Sequence, residues 1–184
     1  CGPQANPPAS PPARQTAGST GCRRPGAGDA YPGRVPPPAV RIIDRLAASQ
    51  VTAVEALCTA AAAADGIAPL SEHVLLHLRH GGEGPDRHLL ADVDGELVGY
   101  AHLDPTDPVE GPAAELVVHP DHRGLGVGGA LLDAVIGAAT RAAPRTGHPV
   151  PLRLWAHGGH PAARALAASR RFVIGRRLEQ WRRG

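Results

Sequence analysis

The residues best placed to do chemistry lie between Glu115 and Gly129. There the run Arg123-Gly124-Leu125-Gly126-Val127-Gly128-Gly129 places closely spaced glycines where a helix should begin. Glycine removes side chains that would keep a ligand off the backbone, and the first turn of a helix leaves N–H groups without intrahelical partners. A turn of this kind is an anion site. Spacing alone leaves three readings open: a loop with no ligand, a dinucleotide fingerprint, and a cradle for the pyrophosphate of coenzyme A. The dinucleotide reading requires G-x-G-x-x-G in the first βα turn and an acidic residue about twenty positions later. Here the glycines follow G-x-G-x-G, the motif comes late, and the next strand, around Leu152 to Trp155, lacks the acid. A Walker loop is excluded because the chain contains no Gly-Lys-Ser/Thr.

Other titratable residues are scattered. His119 and His122 flank the turn; His119 is expected to cap the strand end. His157-x-x-His160 puts two imidazoles on a glycine-rich loop without further ligands, so no metal is expected. Cys1, Cys22 and Cys58 form no CxxC pair, which points to reduced thiols and a cytoplasmic setting. The net charge is +2 over 184 residues, all nineteen basic residues are arginine, and aromatics make up 3%. Neither charge nor stacking surface favours nucleic acid. Arg176, Arg177, Arg182 and Arg183 read as a solvated strand face, and Trp155 and Trp181 as core or interface residues. No apolar run reaches the ~18–20 residues that span a bilayer, and the polar, proline-rich N-terminus does not resemble a signal peptide. No methionine occurs, so residue 1 is not expected to be the natural start.

The elements that must hold the glycine turn follow from apolar spacing. Residues 1–38 are rich in Pro, Gly, Ser and Ala and are expected to form a disordered tail. Val40 to Leu46 is strand-like. A helix is predicted from about Ser49, as its cap, to Ala64, ended by Asp65-Gly66. Ser71 is expected to cap a second helix, with Glu72 in its first turn and Val74, Leu75 and Leu78 facing inward. Arg87–Val93 and Glu96–Leu103 form a hairpin across Asp94-Gly95. Ala113–Val118 is a further strand, and the helix after the glycines runs to about Ala143 with Leu125, Leu131, Leu132, Val135 and Ile136 on its apolar side. Val150–Ala156 is another strand, Pro161 opens a short helix to about Ser169, and Phe172–Ile174 and Leu178–Trp181 complete the set. The order β-α-α-β-β-β-α-β-α-β predicts an α/β (α+β) layer fold, with a mixed, mostly antiparallel twisted sheet and helices on both faces.

The stretch Glu115-Leu116-Val117-Val118-His119-Pro120-Asp121-His122-Arg123-Gly124-Leu125-Gly126-Val127-Gly128-Gly129-Ala130-Leu131-Leu132 closely resembles the acetyl-coenzyme A signature of the GNAT acetyltransferase superfamily. The order of elements is similar too, and residues 39–184 are expected to form the domain. The resemblance implies that amides from Gly124 through Gly129, with Leu125 and Val127 between them, hold the cofactor pyrophosphate, and that Arg123 adds charge. It also implies that Leu116, Val117 and Val118 pair with the pantetheine arm, as a peptide adds to a strand edge. Glu115, beside that arm, is the candidate base for amine acetylation. Many active members carry a tyrosine five residues before the Phe of a closing Gly-Phe pair. Here Arg171-Phe172 stands for the pair and Ala167 for the tyrosine.

Five stretches resemble the first part of the mycothiol synthase family in particular: Ala64–Leu75, Gly99-Tyr100, Ala114–Pro120, Trp155–Gly158 and Pro161–Ala165. That family acetylates the cysteine amine of cysteinyl-glucosaminyl-inositol in actinobacteria, and its members resemble two GNAT domains in tandem. The resemblance implies acetyl-coenzyme A as cosubstrate, that amine as acceptor, Glu72 as an acceptor contact, and a second GNAT domain missing from this chain. Two other expectations stand beside it: a non-catalytic cofactor-binding half-domain, or a stand-alone acetyltransferase for another small amine.

Overall fold

The computed structural model describes residues 38–81, 84–142 and 151–177. The expected tail, save its last residue, lies outside these residues, as do Leu178–Trp181, Arg182 and Arg183.

Among the described residues five strands form one sheet in the order β1 (Ala39–Ile43), β2 (Arg87–Val93), β3 (Glu96–Asp104), β4 (Ala113–Val118), β5 (Arg153–Trp155). The first four run antiparallel to their neighbours, and β5 pairs parallel to β4. The hairpin between β2 and β3 turns at Asp94 (φ 52°) and Gly95 (φ 86°), the two positive φ values of the tightest hairpin loop.

Helices cover both faces, as the element order predicts. On one face α1 (Ala48–Asp65) and α2 (Glu72–His80) enclose a core of Val54, Leu57, Leu70, Val74, Leu90, Tyr100 and Val117. On the other, α3 (Val127–Ala142) packs Val127, Leu131 and Val135 against Leu89, Ala101, Leu103 and Ala114. Gly99 makes the second contact possible. A Cβ there would lie 2.8 Å from Val127 Cγ1 and 2.9 Å from Leu131 Cδ1, so helix and sheet meet at a distance only glycine permits.

Several expectations are corrected. Ser49 does not cap α1; the helix begins at Ala48, and Ala47 takes the cap position, its N–H donating to Gln50 Oε1 at 2.8 Å. Leu125 precedes α3 and is exposed, because the turn is spent on the glycines and Val127 is the first side chain to reach the core. Ile136 is only half-buried, whereas Leu75, also half-buried, packs against the core as expected. Phe172–Ile174 forms no strand, and Val173 and Ile174 stand exposed. Ser71 caps α2 as expected, accepting from the Val74 N–H, and Gly66 ends α1 in the left-handed region.

Candidate functional site

The site begins where β4 and β5 part. Their parallel pairing covers Ala113 with Arg153, Ala114 with Leu154 and Glu115 with Trp155, and stops there. Strand β4 continues through Leu116, Val117 and Val118, paired only with Ala101, Tyr100 and Gly99 of β3. The chain after Trp155 instead turns through His157–Gly159, which with His160 leads into α4 (Pro161–Ser169). Among the described residues, three consecutive residues of β4 therefore have no partner strand on their outer edge. Unpaired strand edges present free N–H and C=O groups.

The glycine turn lies just beyond this edge. Val118 leads through His119 and a single 3-10 turn, Pro120–His122, into Arg123. His119 caps that turn: its Nδ1 accepts from the Asp121 N–H at 3.3 Å. Gly124 and Gly126 have φ of 76° and 89°, and a Cβ at either would meet nothing within 4 Å. Their glycines are required by backbone conformation, not by crowding. The Ala130 N–H closes onto the Gly126 carbonyl at 3.0 Å. That leaves the amides of Val127, Gly128 and Gly129 as the open donors of the first turn of α3, where the helix dipole also favours negative charge.

Arg123 sits in this turn, but its guanidinium is engaged by protein. It forms a fork on Asp65 at the end of α1, with contacts of 2.7 and 2.8 Å, and its Nε donates to the Val118 carbonyl at 3.3 Å. That pairing holds the Asp65 carboxyl below its ordinary value. Arg123 thus ties α1, β4 and the turn together. A second guanidinium, which sequence reasoning missed, lies against the same helix start. Arg170 forks onto Asp133 at 3.0 and 2.9 Å, and its Nη2 would sit 3.1 Å from a Cβ at Gly129. No local signal links residues 37 apart in sequence.

At the mouth between β4 and β5 lies a buried carboxylate. Glu115 Oε2 accepts from the Ser71 N–H, the cap residue of α2, at 2.6 Å and lies 3.1 Å from His157 Nε2. Burial alone would raise the Glu115 carboxyl; hydrogen bonds from His157 and Ser71 outweigh it and hold the group below its ordinary value. The hydrogen bond to Glu115 conversely raises His157, against the opposing effect of burial. Once His157 is protonated the two form an ion pair, whose outward member is His157, with its side chain 29% exposed against 11% for Glu115. Glu72, exposed, follows Ser71 at the start of α2, so the fold brings it to the same end of the sheet.

The two loop histidines do not act together. His157 turns to Glu115, while His160 Nδ1 caps α4 by accepting from the Ala162 N–H at 3.2 Å. Ala167 lies half-buried on α4 and offers no hydroxyl. Tyr100 is fully buried, its hydroxyl 2.8 Å from His88 Nδ1, and burial pushes its pKa far up. Among the described residues no tyrosine is exposed.

Residues 84–167 match the family described as acetyltransferase (GNAT) domain. A mycothiol acetyltransferase of Streptosporangium roseum is 53% identical over 139 residues, which make up 76% of this chain and 39% of that protein. The chain spans about two-fifths of the length of the curated relatives it matches, from 39% to 46%. Among solved structures, the GNAT domain of S. lividans PAT aligns with a TM-score of 0.58 at 16% identity, covering 76% of this chain and 84% of that one. An aminoglycoside N-acetyltransferase in complex with CoA aligns at 0.52 and 19%, covering 79% and 99%. Among the described residues no helix is long and apolar enough to cross a membrane. Residues 84–167 thus match a GNAT acetyltransferase domain, and the described fold is that of GNAT structures.

Proposed function

We propose that this GNAT domain binds acetyl-coenzyme A along the free edge of β4 and transfers its acetyl group to an amine. The observation that carries this reading is the end of β4–β5 pairing at Glu115, directly upstream of the glycine turn. An extended pantetheine arm has amide groups that would pair with the backbone of Leu116, Val117 and Val118. Its pyrophosphate would then meet the amides of Gly124 through Gly129, where the open helix start favours an anion. Arg123 would contribute by holding the turn in place, since its charge is balanced by Asp65.

The thioester end would fall near the Glu115–His157 pair. In the reaction the amine nitrogen bonds to the acetyl carbon, the carbon–sulfur bond breaks, and the amine proton must leave. His157, outward-facing and raised by Glu115, would take that proton, with Glu115 orienting the imidazole and stabilising its charge. The departing thiolate would gain its proton from water, since Ala167 has none to give. Likeness to mycothiol acetyltransferases supports cysteinyl-glucosaminyl-inositol as the acceptor, with Glu72 at its edge and a second GNAT domain as partner in the longer protein.

A second reading is favoured by Ala167 and the burial of Tyr100: the domain holds the cofactor and leaves chemistry to another domain. One experiment separates the two. Binding of acetyl-coenzyme A to the 184-residue chain is measured by calorimetry, and thiol release is followed with the acceptor amine. The enzyme reading expects binding and turnover, with His157→Gln lowering kcat while leaving cofactor affinity within about twofold. Binding without turnover favours the second reading, and no binding overturns both.

A further inference from the structure

A polar cluster with no part in the proposed transfer lies buried beneath α2. One donor atom each of His77 on α2, Asp86 just before β2 and His102 on β3 lie within 4.8 Å of one another. Asp86 Oδ2 is 2.8 Å from His77 Nδ1 and 3.4 Å from His102 Nε2. Asp86 and His102 are only 5% and 2% exposed. Burying a carboxylate is costly unless a cation or several donors meet it. Among the described residues no arginine reaches the Asp86 carboxylate; the nearby Arg87 guanidinium turns to Asp44 and to the Pro85 and Asp86 carbonyls. His102 Nε2 is fully buried and makes no hydrogen bond of acceptable geometry, although it points at this carboxylate. An orphaned ring nitrogen and a buried carboxylate that, among the described residues, meets imidazoles and no arginine would both be served by a cation between them.

We propose that His77, Asp86 and His102 form a binding site for one divalent transition-metal ion of the zinc type. Two imidazoles and one carboxylate match the donor set zinc takes in sites that keep an open position. Bonds of about 2.0–2.2 Å in a tetrahedron put ligand atoms about 3.3 Å apart. The Asp86–His102 separation already has that value, and the Asp86–His77 contact needs to open by about half an ångström. His73, one turn earlier on the same face of α2, has its ring centroid 4.3 Å from that of His77 and can supply a fourth ligand by changing rotamer. The ion clamps α2 and the segment before β2 onto β3, so its binding adds to folding stability.

The test uses the 184-residue chain, stripped with a chelator and titrated with Zn2+ by calorimetry and thermal melting, with Co2+ as the spectroscopic probe. The expected result is one high-affinity ion per chain, a raised Tm and the visible bands of a low-symmetry cobalt centre. His77→Gln, at the half-exposed helix position, should keep the fold by circular dichroism yet weaken Zn2+ binding at least about 100-fold, since even losing an outer partner of a ligand costs roughly 10–100-fold. His80→Gln, on the exposed end of α2, is the control and should bind as the parent does. No high-affinity ion, or a His77→Gln affinity within about tenfold of the parent, overturns the site.

Discussion

The two faces of the sheet are built on different principles. Against α3 the sheet presents Leu89, Ala91, Ala101, Leu103 and Ala114, an aliphatic surface without a buried titratable group among the described residues. Against α1 and α2 the same strands present His88, Tyr100, His102 and Glu115, interleaved with Leu90 and Val117. The separation follows from the period of a strand, which sends consecutive residues to opposite faces. In His88-Leu89-Leu90-Ala91 and Tyr100-Ala101-His102-Leu103 every second residue belongs to the polar side. The aliphatic face leads to the proposed backbone site at the start of α3, while the proposed sites of the polar face are made of side chains. A backbone site depends on steric permission, and a side-chain site depends on each polar group finding its partner.

The largest effect expected on the aliphatic face comes from Gly99→Val. The added atoms collide with Val127 and Leu131, and overpacking should cost about 3 kcal/mol, read from urea unfolding. An unchanged midpoint would mean the face can yield and the contrast is weaker than drawn. At the glycine turn, Gly126→Asn tolerates the positive φ, whereas Gly126→Asp adds charge to a similar shape. Acetyl-coenzyme A should bind the Asp variant roughly 100-fold more weakly than the Asn variant, about 2.7 kcal/mol by calorimetry. Equal affinities would remove the anion from this turn.

On the polar face, Tyr100→Phe leaves His88 Nδ1 without its partner, with burial and the neighbouring His102 already pushing that imidazole down to about 4. The expected loss is about 1–2 kcal/mol. A neutral result would show that this side tolerates unpaired groups as the other tolerates none.

The smallest effect belongs to His157→Gln. The His157 pKa is raised by folding, so the stability it contributes is fully present below its unfolded value and fades as pH rises through the folded one. The Glu115 contribution runs the opposite way, lost as pH falls through its lowered value. The parent should therefore exceed the variant by up to about 1 kcal/mol near pH 6, and by less near pH 9. A difference that grows with pH would overturn the pairing.

Much of this was legible locally. Hairpin residues Asp94-Gly95, the Ser71 cap, the Gly66 stop and the extents of β2 and β4 are set by φ preferences and nearest neighbours, which a sequence carries directly. The backbone of the glycine turn was legible for the same reason, since its conformation is that of one short segment. Placement of β5 was legible only in part, because three residues that pair on one side carry little alternation. The start of α1 escaped because Gln50 reaches back to the Ala47 amide, so no cap-type residue is needed there.

What the sequence determined by itself is therefore the order of elements, the alternation that sorts residues between two faces, and a helix start stripped of side chains. The tertiary structure alone decided which distant groups meet. Arg123 is expected from its neighbours in the chain to add charge for a phosphate, yet it finds Asp65, 58 residues away. Glu115 finds His157 across 42 residues, and the His77–Asp86–His102 cluster draws on a helix, a loop and a strand. No spacing rule announces such meetings, because a buried polar group takes whichever partner packing delivers, and packing is a property of the whole fold.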